Sequence, residues 1–79
     1  MSKQRTITLP DFLTEDQIRT ASLIYDLHKR SGRVAGEIAK RVIEPNLAEI
    51  NRKLGQENDA HYLAYCCEYV FSKLEAGHA

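Results

Sequence analysis

Seventy-nine residues suffice for one domain, and a chain this short buries only about 60% of the surface that its unfolded form exposes. Its core is thin unless a metal, disulfides or a second subunit adds to it. A hydrophobic fraction of 43% with 28% charged residues argues against disorder, and eleven basic residues cancel eleven acidic ones, so no bulk field draws the chain to nucleic acid or membrane.

No apolar run approaches a membrane span, and MSKQRTITLP lacks the apolar centre of a signal peptide, so a cytoplasmic protein is expected. Residues 3–9 alternate, with Ile7 and Leu9 on one side and Gln4, Thr6 and Thr8 on the other. That is strand-like patterning, ended by Pro10. Nothing later reads as a second strand. The segment 4–9 is therefore either a loose extended arm or a strand that pairs with its copy in a second subunit.

A first helix is expected over about 15–30. Thr14 is a good N-cap, Gln17 closes a capping box, and Leu13 and Ile18 occupy the positions of a hydrophobic staple. Glu15 and Asp16 suit its positive end and Lys29 and Arg30 its negative end, with a stop at Ser31–Gly32. Ile18, Ala21, Leu23, Ile24, Tyr25 and Leu27 cover more than half of its circumference, so it has two sides to hide.

The next helical pattern runs over about 33–44, with Ala35, Ile38, Ala39 and Val42 on one face. Pro45 lacks a donor and crowds the carbonyl of Arg41. Ile43 and then, beyond Pro45 over 46–54, Leu47, Ile50 and Leu54 continue an apolar stripe rotated by roughly a quarter turn. A kink or break at Glu44–Pro45 is expected, then a stop at Gly55 after Arg52 and Lys53.

The last helix, about 59–75, is capped by Asn58 or Asp59 and contains AHYLAYCCEYVFSKL. Leu63, Cys66, Cys67, Val70, Phe71 and Leu74 share one face; Tyr62, Tyr65 and Tyr69 form a second stripe, and His61, Glu68, Ser72 and Glu75 a polar strip. A helix apolar over so much of its girth must be enclosed by other helices or by a partner. The fold class is thus an all-α bundle of three to four helices with a short N-terminal arm (1–13 extended, 14–76 helical).

Chemistry is sparse. His28, His61 and His78 stand apart, and neither cysteine has a companion at metal-ligand spacing, so no metal and no cofactor is expected. Cys66 and Cys67 point about 100° apart and read as two buried apolar thiols without an activating base. The carboxylates read as solvated charges in helical pairs such as Glu49 with Lys53. The four glycines, Gly32, Gly36, Gly55 and Gly77, scatter at helix ends and form no phosphate loop. The chain is not expected to be an enzyme. Lys29, Arg30, Arg33, Lys40 and Arg41 cluster around the first interhelix turn, a pattern that serves either phosphate contact or ordinary solubility.

Two functional readings follow. In the first, apolar helical surfaces make a homodimer, with another protein as a further possible partner, and Tyr62, Tyr65 and Tyr69 are the contact residues, tyrosine combining large area with a polar tip. In the second, Thr6-Ile7-Thr8-Leu9-Pro10, Gly32-Arg33 and Glu37-Ile38-Ala39-Lys40-Arg41-Val42-Ile43 resemble the ribbon-helix-helix DNA-binding family over about residues 4–44. The resemblance implies a dimer whose paired strands enter the major groove. Gln4, Thr6 and Thr8 would face bases, and the start of the second helix, at Arg33, Val34 and Ala35, would hold phosphate. Residues 45–79 would then be an added helical region, a layout implied for repressors or antitoxins.

Overall fold

The computed structural model describes residues 10–76, all-helical apart from turns and short connections. Helix α1 spans Glu15–His28. Its start is the reciprocal cap that the sequence implies: the Thr14 N–H donates to Gln17 Oε1 (2.9 Å) and the Gln17 N–H to Thr14 Oγ1 (3.2 Å). Leu13 and Ile18, at the staple positions, both lie against the core. The helix ends two residues before Arg30. The N–H groups of Ser31 and Gly32 both turn back to the His28 carbonyl, at 3.0 and 3.2 Å, and Gly32 takes a φ of 75° that favours glycine.

The middle of the chain is one helical run with changing pitch. Helix α2 covers Val34–Ile38, a π-turn covers Ala39–Ile43, a 3₁₀ turn covers Glu44–Asn46, and helix α3 covers Leu47–Leu54. Helical bonding therefore passes through Pro45 instead of breaking there. The Glu44 N–H donates to the Ala39 carbonyl five residues back. The backbone departs from helical geometry at Asn46 (φ −122°, ψ 16°), whose side-chain amide donates to the Val42 carbonyl at 2.9 Å. A π-turn takes in one extra residue and retards the helix phase by about 100°. That matches the quarter-turn offset between the two apolar stripes, so Ile38, Val42, Ile43 and Ile50 are all buried in the same core. Gly55, in the left-handed region at φ 75°, closes the run. The Glu49 carboxylate pairs with Arg52, three residues on, and not with Lys53.

Helix α4 spans Ala60–Ala76. Asp59 is its cap, its carboxylate accepting from the His61 N–H at 3.0 Å. Asn58 does other work: its N–H and side-chain amide donate to Asn51 Oδ1 at 3.0 and 3.1 Å, tying the connection back onto α3. The middle run packs against both α1 and α4. Ile38, Ala39, Val42 and Ile43 form its centre, with Ala21 and Ile24 from α1 and Leu63, Ala64 and Cys67 from α4.

Candidate functional site

Helix α4 buries Ala60, Leu63, Ala64, Cys67 and Phe71. Cys66, Val70 and Leu74 are only half-covered, so the inward face is turned towards the small residues. Of the two thiols expected inside, only Cys67 is sealed. Burial, and to a lesser extent Cys66 beside it, pushes its thiol up to about 12, which leaves it protonated and a poor nucleophile.

With that face inward, Tyr62, Tyr65 and Tyr69 stand roughly 180° from its centre, at about 100° per residue. They are 57, 59 and 58% exposed. The His61 ring lies 6.5 Å from that of Tyr65, tilted by 48°, and Lys73 Nζ is 5.4 Å from the centroid of Tyr69. Cys66 and Val70 continue the stripe towards the core along one edge. On α1, Leu23 and Leu27 are 65 and 76% exposed. Both helices that the sequence marks as having two apolar sides therefore hide one and present the other to solvent.

Two depressions flank these surfaces. An open groove of about 730 Å³ runs between α1 and the end of α4, with Ile18, Leu23, Phe71 and Leu74 along it. One side is closed by a clasp. The Tyr25 hydroxyl donates to Glu75 Oε1 at 2.7 Å, and Lys29 Nζ donates to Glu75 Oε2 at 2.6 Å. The Tyr25 ring also packs on Phe71 at 5.8 Å. The Lys29 bond, and then that from Tyr25, hold the Glu75 carboxyl below its ordinary range, while bonding to Glu75 raises both donors. This cluster joins residues 46 and 50 positions apart, and no local signal in the sequence announces it.

The second depression, a cleft of about 500 Å³, lies between the start of α2 and the first turns of α4. Arg33 and Lys40 line it on the α2 side, and His61, Tyr65 and Glu68 on the α4 side. Of the five cations grouped by the sequence, Lys29 is held by Glu75, and Arg41 by Glu37 at 2.9 Å. Arg30, Arg33 and Lys40 make no ion pair among the described residues.

Gln4, Thr6 and Thr8, with the whole 4–9 segment, and also His78, lie outside the described residues. Arg33 is exposed, whereas Val34 and Ala35 put their side chains into the core. The first turn of α2 has no side-chain cap. Among the described residues, no three His, Cys, Asp or Glu side chains gather as metal ligands, and no helix is long and apolar enough to cross a membrane. Comparison of the chain with protein-family models, with characterised proteins and with solved structures finds no match.

Proposed function

We propose that this is a small non-enzymatic regulatory or interaction protein that works as a homodimer through its apolar helical surfaces. The observation that carries this reading is the stripe of Tyr62, Tyr65 and Tyr69, more than half exposed and directed away from the core that α4 helps to build. Among the described residues nothing covers the face of α4 opposite its buried one. Aromatic side chains with polar tips are enriched where two surfaces meet at a partly wet boundary. The neutral net charge removes long-range repulsion between copies.

Sedimentation velocity over a concentration series tests this. The wild type is expected to dimerise, and Tyr65→Ala or Tyr69→Ala to weaken the dimer by about tenfold or more without loss of helical signal. A wild-type protein that stays monomeric at the highest concentration overturns the reading.

A second reading is a ribbon-helix-helix transcriptional regulator or antitoxin, with Gln4, Thr6 and Thr8 as base readers on a paired N-terminal strand. The start of α2, without a side-chain cap and beside Arg33, which makes no ion pair among the described residues, favours it, since free N–H groups and a cation suit a phosphate. Deleting residues 1–9 separates the two. The truncated chain still associates on the first reading; on the second it loses both dimerisation and a salt-sensitive DNA affinity.

A further inference from the structure

The groove between α1 and the end of α4 has an order along its length. Following α1, it passes Glu15, then Ile18 and Leu23, then Asp26 and the clasp at Glu75. Its charges are unequal. Glu15, Asp26 and Glu75 line it against Arg19 alone, and Arg19 is already paired with Asp16 at 3.4 Å. Lys29 serves Glu75 at 2.6 Å and reaches Asp26 only at 3.9 Å, while Glu15 makes no ion pair among the described residues. Counting Asp16 and Lys29, four carboxylates therefore face two cations. The other cation near the end of α4, Lys73, lies over the Tyr69 ring on the opposite face.

Residues 1–9, outside the described residues, carry the opposite chemistry: Lys3 and Arg5, with no Asp or Glu. Alternate residues of an extended chain share a side. Read back from Pro10, one side is thus Leu9, Ile7, Arg5 and Lys3, two apolar residues followed by two cations. The groove has the same order from the start of α1, with Ile18 and Leu23 before Asp26 and Glu75. Pro10 is buried, and a turn at Asp11–Phe12 precedes the first turn of α1, so the chain is held to the body and reverses next to the groove. The lengths agree as well. Extended chain from Ile7 to Lys3 spans about 13 Å at about 3.3 Å per residue, and helix from Ile18 to Asp26 spans about 12 Å.

We propose that this groove is the docking site of the chain's own residues 3–9, lying antiparallel to α1. Leu9 and Ile7 cover Ile18 and Leu23, and Arg5 and Lys3 face Asp26 and Glu75. The occupant is fixed by three matches: its charge, the order of its side chains, and the point at which it joins α1. The tyrosine stripe lies on the opposite face of α4, so this docking neither requires nor prevents dimerisation there.

Isotope-filtered NMR of the full chain, on a mixture of labelled and unlabelled protein, tests the assignment. Contacts from the Ile7 and Leu9 methyls to Leu23 and Phe71 are expected within single labelled molecules. Ile7→Asn is expected to lower the ratio of docked to free arm, read from the methyl shifts of Leu23 and Leu74, about tenfold or more. Arg5→Glu is expected to lower it about threefold at low salt and less at high salt. Contacts found only between labelled and unlabelled copies would make the occupant the arm of a second molecule and overturn the proposal. So would a wild-type arm that touches none of the groove residues, or a docked ratio unchanged in both variants. The homodimer reading is judged separately, by sedimentation of Tyr65→Ala, and survives any of these outcomes.

Discussion

Cys66 and Cys67 are neighbours in sequence with different physical fates, because a step of one residue on α4 separates the sealed interior from its margin. Cys67 is fully enclosed, with its thiol pushed up to about 12, whereas Cys66 is partly open. A thiol-reactive dye is expected to label Cys66 alone in the native protein and both residues in denaturant. Cys67→Ser is expected to cost about 1–3 kcal/mol in chemical denaturation, since it places a hydroxyl among apolar neighbours. Native labelling of Cys67 as fast as Cys66 would refute this account. Glu75 makes a second prediction at the same scale. Its folded-state carboxyl is depressed, so its contribution to stability is present above the ordinary value of 4.5 and is lost as pH falls through the lower folded value. Tyr25 and Lys29 are raised, so theirs is present below their ordinary values of 10.0 and 10.5 and is lost as pH rises through the folded ones. The difference in unfolding midpoint between wild type and Glu75→Gln is thus expected to be largest between these limits and to shrink at both ends. A difference independent of pH would mean that the clasp does not act through charge.

At the scale of elements, the π-turn and 3₁₀ turn over residues 39–46 decide whether one helical run has a coherent inner face. Apolar stripes on either side of Pro45 are out of phase in an unbroken α-helix, and the inserted residue brings Ile43 and Ile50 onto the face of Ile38 and Val42. Asn46 helps by supplying its side-chain amide to the Val42 carbonyl. Asn46→Ala is expected to lower stability by about 1 kcal/mol through that lost partner. Ile43→Ala should cost about 2–5 kcal/mol by opening a cavity at the centre of the core. Urea titrations measure both, and an Ile43→Ala cost no greater than that of Asn46→Ala would contradict the proposed phasing.

For the whole molecule, the governing fact is that α1 and α4 each keep an apolar margin in water after the core has closed. Small size is the cause: the helices of a 79-residue chain have too few neighbours to enclose all sides of one another. If dimerisation covers those margins, folding is linked to association, and the thermal midpoint should rise with protein concentration. It should do so less in Tyr65→Ala. A midpoint independent of concentration across the range where sedimentation shows a dimer would break that link.

The parts of this protein legible from sequence are those governed by contacts a few residues apart. The Thr14–Gln17 cap, the stops at Gly32 and Gly55, and the existence of each helix rest on bonds between near neighbours. Their residue types therefore suffice, and the offset stripes around Pro45 even record the phase error that the π-turn takes up. Only the tertiary structure decided which side of α4 faces inward, which thiol is sealed, and that Tyr25, Lys29 and Glu75 meet. Periodicity separates the face of Leu63, Cys67 and Phe71 from the tyrosine stripe, but it does not say that the inward face is centred on Ala60 and Ala64, with Cys66 and Val70 left at its margin. Close packing makes the choice: Ala60 and Ala64 let α4 approach the middle run, and the bulkier tyrosines are left outside.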